Sequence, residues 1–306
     1  MKRRIVAVAA SGGRDSTAML HATARLGRDL GVEVIALHVH HGLRPEADGW
    51  LDHVRRQARR FGALFAHERL EGAPAQGESV EAWARKGRYA ALSRLARAAG
   101  CDLVLLAQHR RDQAETFLIQ ALRGGGAAGL AAMPRVARRE DITWVRPWLA
   151  CSRTAIEAYV SRYRLSFVED PSNAEARFAR GRLRALWPVL NEAFADAEAT
   201  LGRAAQRAAA DAALIAEVAA ADLATLDVHG QPLRVAPWLS LSPARRVALL
   251  RLWLGTVLPS PAPETLVRRL MDELPGRHHA RWPADECDLV LKRGLLAPEP
   301  AAPRRS

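Results

Sequence analysis

The chain has 306 residues, 49% of them hydrophobic, and a formal charge of +12 at neutral pH. It is longer than one ordinary core requires and too apolar for global disorder, and no run approaches the ~20 apolar residues of a membrane-spanning helix. The only lysines are Lys2, Lys86 and Lys292, so arginine carries nearly all the positive charge. Such a field favours a polyanionic partner, nucleic acid being the usual one, although arginine-biased composition produces the same charge.

In chain order, residues 4–10 predict a buried strand. Their apolar run is too short for a signal peptide and meets a Gly-Gly turn. A helix is expected over 17–30, a strand over 32–40, a helix over 47–61 and a strand over 63–69. After a loop containing glycine and proline, Ser79 opens a long helix to about 99, followed by a short apolar strand over 103–107 and a helix from 114. Apolar strands alternating with amphipathic helices predict an α/β fold, a doubly wound, mostly parallel sheet covered on both faces.

Beyond Trp187-Pro188 the texture changes to Ala-rich helical sequence over 191–226, with further helices near 243–254 and 263–270 and terminal strands within 287–296. The expected organisation is a nucleotide-binding domain over 1–187, a smaller, mainly helical domain over 188–297, and a disordered tail over 298–306. Trp238 and Trp253 are expected in the core of the second domain. Cys101, Cys151 and Cys287 are too scattered for a Cys-x-x-Cys motif and imply free thiols in a reducing compartment, the cytoplasm.

The strongest chemical signal is Ser11-Gly12-Gly13-Arg14-Asp15-Ser16, between the first strand and the first helix. Glycines there let backbone N–H groups close around phosphate oxygens at the positive end of a helix, and Ser11 and Ser16 add hydroxyls. No Gly-Lys-Ser/Thr follows, so this is not a Walker loop. A carboxylate facing a triphosphate needs a bridging cation, so Asp15 predicts Mg²⁺. Its structural alternative is a first-turn partner of the helix dipole.

Asp112 and Glu115 lie three apart, on one helical face. By spacing they read either as a carboxylate pair with a chemical role, or as a helix start with Asp112 at the N-cap and Glu115 three residues on. Arg111, directly beside them, stands to compete for the same carboxylates. His41 follows a strand's carboxyl end, where nucleotide contact is expected; His38 and His40 lack a third ligand of zinc spacing. Arg85 and Arg88 share a helix face and suit a phosphate or an amino-acid carboxylate. Arg177, Arg180, Arg182 and Arg184 crowd one span, and a helix over 178–186 would align Arg177, Arg180 and Arg184 for tracking phosphates.

The Ser-Gly-Gly-x-Asp-Ser loop resembles that of the ATP pyrophosphatases, the PP-loop superfamily. Further stretches resemble bacterial tRNA(Ile)-lysidine synthetases, in that family's order over roughly 4–190. These are Leu37-His38-Val39-His40-His41-Gly42-Leu43-Arg44; the Glu81, Ala84, Arg85, Arg88 and Tyr89 helix; Gln108-His109-Arg110-Arg111-Asp112-Gln113-Ala114-Glu115-Thr116; and Glu169-Asp170-Pro171-Ser172-Asn173 with Arg180-Gly181-Arg182-Leu183-Arg184. The resemblance implies a ligase whose co-substrate is ATP. It would adenylate the wobble cytidine of tRNA(Ile), then let free L-lysine displace AMP. A homodimer is left open as a further partner. Arg111 replaces the first aspartate of the family's Asp-Asp pair, and Gly181 its asparagine. A tRNA-base sulfur transferase and a non-catalytic tRNA-binding relic remain as alternatives.

Overall fold

The computed structural model describes residues 4–40, 42, 46–74, 79–169, 179–226, 232–284 and 287–301. Contacts divide the chain into two units, Met1–Ala209 and Ala210–Ser306.

The first unit begins β1 Ile5–Ala9, α1 Arg14–Leu30, β2 Glu33–His40, α2 Ala47–Phe61, β3 Leu64–Arg69, α3 Val80–Ala98 and β4 Leu103–Leu105. It continues α4 Arg110–Leu122, α5 Ala127–Leu130, β5 Val136–Arg139, β6 Ile142–Val145, α6 Arg153–Arg162 and α7 Ala179–Ala193; α8 follows, Ala197–Thr225. Six strands form one sheet in the order β3-β2-β1-β4-β6-β5. Every neighbouring pair is parallel except the β5–β6 hairpin at the edge.

Alternation along the strands feeds two cores. Val8, Val34 and Ala36 pack with Leu20 of α1, Val54 of α2 and Ile156 of α6. Ala7, Ile35 and Leu37 pack on the opposite face with Leu92 of α3 and Trp144 of β6. A third, smaller cluster joins Ala114 of α4, Trp187 of α7 and Ala197 of α8.

The boundary expected at residue 187 falls inside α7, which contains Pro188. Proline removes one helical hydrogen bond and looks like a terminator. Burial of Trp187 between α4 and α8 accompanies the helix's continuation through it.

Gly27 shows how tightly α1 lies on the sheet. A Cβ there would come 2.7 Å from the Val32 carbonyl oxygen and 2.8 Å from Val34 Cγ2. Glycine to alanine within a helix ordinarily gains up to ~1 kcal/mol. Here the clash is with backbone, and overpacking of ~1–3 kcal/mol outweighs the gain. Gly27→Ala is therefore expected to lower the denaturant midpoint; a raised midpoint would show that α1 can lift off the sheet freely.

The second unit contains β7 Leu233–Arg234, α9 Val235–Leu239, α10 Pro243–Val257, α11 Glu264–Glu273, β8 His279–Pro283, β9 Cys287–Lys292 and β10 Leu295–Pro300. Trp238, Trp253 and Trp282 are fully buried in its core. Besides the expected helices it has a four-stranded antiparallel sheet, ordered β7-β10-β9-β8. Prolines disguise this sheet in the sequence. Pro283 ends the edge strand β8, while Pro298 and Pro300 lie where β10 pairs with β9 alone, positions that need no donor toward a second neighbour. Pro298–Pro300, expected in the tail, are thus paired strand; 302–306 lie outside the described residues.

Candidate active site

β1 and β4 are adjacent, and the chain leaves them toward opposite sides of the sheet. Such a switch point opens a crevice at the carboxyl ends of the strands. Both major motifs meet there, Ser11–Ser16 after β1 and 108–116 after β4.

The loop after β1 is held from within. Ser16 Oγ donates to the Gly13 carbonyl at 3.0 Å and accepts the Ser11 N–H at 3.2 Å, while the two serine Oγ atoms lie 3.0 Å apart. Gly12 sits at φ +87°, and a Cβ there would meet Val54 Cγ2 at 3.1 Å, so the turn needs glycine. The Gly12 carbonyl accepts from Thr17 Oγ1 and from the Val168 N–H. Gln57 accepts from the same Thr17 hydroxyl and donates to the Ser166 carbonyl, tying segment 166–168 to the loop. No side chain caps α1 at Gly13, so its first-turn N–H groups are offered to an anion.

Asp15 occupies that first turn. Its Oδ1 accepts from Arg14 Nε at 3.3 Å, and its Oδ2 lies 3.7 Å from His109 Nε2. Burial opposes its ionisation, but His109 and then Arg14 outweigh this and hold the carboxyl below its ordinary pKa. Arg14 is turned back toward α6, donating to Glu157 Oε1 at 2.6 Å.

His109 is the residue the motif spacing left without a role. It is the N-cap of α4: its Nδ1 accepts the Arg111 N–H at 3.2 Å, and Asp112 Oδ2 accepts the His109 N–H at 3.0 Å. Asp112 is therefore not the cap but the reciprocal third residue of a capping box. With Nδ1 accepting, the imidazole presents its Nε2–H toward Asp15. Burial lowers the pKa of His109, yet Asp15, Asp112 and Glu198 together raise it above its ordinary value.

One turn on, Glu115 is wholly buried. Its Oε1 accepts from Arg184 Nε at 3.3 Å and Trp187 Nε1 at 3.4 Å; among the described residues its Oε2, also buried, has no hydrogen-bond partner. Burial is the main cause of a raised Glu115 pKa, with Asp112 adding and Arg184 and Arg180 opposing. Arg180 Nη2 donates to Thr116 Oγ1 at 3.2 Å. Arg180 and Arg184 thus turn toward α4, and Arg182 is exposed.

On α3, Arg85 and Arg88 both pack on the Tyr89 ring. Burial is the first cause of a lowered Arg88 pKa, and the nearby charges of Arg85 and Arg180 lower it further. No acidic side chain among the described residues pairs with Arg85 or Arg88. Arg85 and Arg180 are thus near enough to Arg88 to act on it by charge, and Arg180 also influences Glu115.

Arg111 does not compete for the carboxylates as the sequence suggested. It turns toward α7 and α8, its guanidinium 5.5 Å from the Trp187 ring centre and its Nε 3.1 Å from Glu198 Oε2. His41, Arg177 and the stretch from Asp170 to Asn173 lie outside the described residues. Trp187 and Glu198 carried no motif signal, since neither belongs to a stretch with catalytic spacing.

The PP-loop domain model matches residues 1–190, and a model described as the TilS substrate binding domain matches residues 233–296. The chain is 47% identical to the tRNA(Ile)-lysidine synthase of Ralstonia nicotianae, over 82% of this chain and 54% of that protein. It therefore spans about half the length of that relative. It is 39% identical to the tRNA(Ile)-lysidine synthase of Bordetella pertussis, over 90% of each chain. Among solved structures it is similar to the U34-tRNA thiolase NcsA of Methanococcus maripaludis, with a TM-score of 0.58 and 15% identity, covering 67% of this chain and 71% of that one; this is a likeness of fold. With the ordered motifs meeting at the β1–β4 crevice and both family models in place, the chain belongs to the tRNA(Ile)-lysidine synthase family.

Proposed function

We propose that the protein is an AMP-forming ligase that adenylates the wobble cytidine of tRNA(Ile) and joins free L-lysine to it as lysidine. The observation that carries this reading is the Asp15–His109–Asp112 chain, which links the anion-binding loop to the carboxylates of α4 across the crevice. In the first half-reaction the cytidine carbonyl oxygen attacks the α-phosphorus of ATP and pyrophosphate leaves. The open N–H groups of α1 and the loop hydroxyls stabilise the charge that grows on the departing phosphates.

Asp15, partly exposed and ionised, is the group that would hold Mg²⁺ together with substrate phosphate oxygens. Among the described residues no three or more His, Cys, Asp or Glu side chains gather as a metal cage. That fits a Mg²⁺ held through one or two carboxylates and its substrate. Bound Mg²⁺ would neutralise phosphate charge.

In the second half-reaction a lysine amine attacks the activated carbon, AMP leaves, and the amine loses a proton. Glu115, with a raised pKa and an unpartnered Oε2, suits the ammonium and the proton it sheds. The Arg88 and Arg180 cations suit the α-carboxylate of the same amino acid. The sulfur-transfer alternative is the less supported one. Cys101 is buried in a core with its Sγ against backbone carbonyls, and Cys151, half-buried, lies beside the start of α4, its carbonyl accepting the Arg110 N–H.

The test is mass analysis of the anticodon nucleoside of a tRNA(Ile) transcript incubated with the protein, ATP and lysine. Appearance of lysidine, dependent on both small substrates, is expected; an unmodified cytidine sinks the reading. Arg88→Ala is expected to raise the KM for lysine about 10- to 100-fold, the worth of charge-assisted hydrogen bonds, while leaving ATP–pyrophosphate exchange near the parent rate. Loss of exchange with an unchanged lysine KM would move Arg88 to the phosphates.

A further inference from the structure

We propose that Glu198 is a positioning residue that keeps Arg111 away from the Asp112–Glu115 carboxylates and so leaves them open to the incoming amine. The inference rests on the proposed use of lysine.

Arg110 and Arg111 follow the N-cap His109 and so open α4. Cations at the amino end of a helix oppose its dipole, and these two are followed on the same helix by two carboxylates, Asp112 and Glu115. An arginine released there has two acceptors in reach, and Asp112 is already approached by Arg184 at 4.0 Å. Full pairing by a second guanidinium would take the lone pairs that an ammonium needs.

Glu198 prevents this by geometry. It lies in the first turn of α8, where its own helix dipole favours a carboxylate. Its two oxygens divide between the neighbours: Oε1 lies 3.5 Å from Arg110 Nε, and Oε2 3.1 Å from Arg111 Nε. Its side chain is only 15% exposed, so screening by water is limited. The Trp187 ring completes the holder, because Arg111 stacks on it while its indole N–H serves Glu115. Trp187 thus separates Arg111 from the carboxylate that Arg111 would otherwise seek.

The experiment uses the full chain, with ATP–pyrophosphate exchange on a tRNA(Ile) transcript and lysine-dependent product formation measured separately. Glu198→Gln is expected to raise the KM for lysine about tenfold, the worth of one well-placed ion pair, and to leave exchange within about twofold. Adding Arg111→Ala to Glu198→Gln is expected to restore the lysine KM, which a merely structural Glu198 would not allow. An unchanged KM, equal loss in both half-reactions, or failure of the double variant to recover overturns the proposal. Should Glu198→Gln not fold, Arg111→Ala alone decides: a near-parental lysine KM supports the proposal, and a large rise overturns it. A parent protein that makes no lysine-dependent product defeats the functional reading itself, which separates that failure from this one.

Discussion

Asp15→Asn is expected to lower ATP–pyrophosphate exchange by about 10²–10³-fold, the usual cost of removing an electrostatic partner of a transition state. Asparagine keeps the size of the side chain and a hydrogen-bond acceptor for Arg14, so folding should survive. The carboxyl lies below its ordinary pKa because His109 and Arg14 overcome the opposing effect of burial. Its stabilising contribution is therefore present above the unfolded pKa and lost as pH falls through the lower folded one. At neutral pH the asparagine variant forfeits that contribution, while under acid conditions the two proteins converge. Near-parental exchange from a folded variant would return Asp15 to a helix-dipole role.

Glu115→Gln separates chemistry from stability more sharply. Turnover in the lysine step should fall by about 10²–10³-fold, the typical contribution of a positioned acid or base. Stability should not follow it. A carboxyl whose pKa is raised by burial binds more protons in the native state than in the unfolded one. Its contribution is complete below the ordinary glutamate pKa and is lost as pH rises through the folded value. Glutamine removes that loss and still accepts from Arg184 Nε and Trp187 Nε1. The variant should therefore unfold within ~1 kcal/mol of the parent at neutral pH, the scale of one net hydrogen bond, and with a flatter pH dependence. If the unfolding temperature collapses while turnover per folded molecule is kept, Glu115 is a core-pairing residue and the amine site lies elsewhere. Asp112→Asn is a weaker probe, because Asp112 also closes the capping box with His109.

Much of the first unit was legible because its periodicities are local. Alternating apolar strands and amphipathic helices repeat through residue 122, and the helix over 47–61 matches α2. Two boundaries moved for reasons of capping. α1 starts at Arg14, with Gly13 as a cap that lends no side chain, and α4 starts at Arg110, where His109 takes the capping place that was one of the two alternatives for Asp112. The β5–β6 hairpin escaped notice because an edge strand reading Val-Ala-Arg-Arg has little apolar signal, charge being a common protection of edges.

The sequence by itself determined the chemistry on offer: a glycine turn with a carboxylate after the first strand, a carboxylate pair on a later helix, and arginines in excess. Those facts depend on residue type and short spacing, which the chain states directly. Only the tertiary structure decided which of them meet. Adjacency of β1 and β4 brings Asp15 to His109, although 94 positions separate them, because parallel pairing places two distant strand ends side by side. Packing of α7 and α8 against α4 decided that Arg184 serves Glu115 and that Arg111 is drawn off to Glu198. Competition among like charges for a few acceptors is settled by distance and burial, and neither quantity is written in the order of the residues.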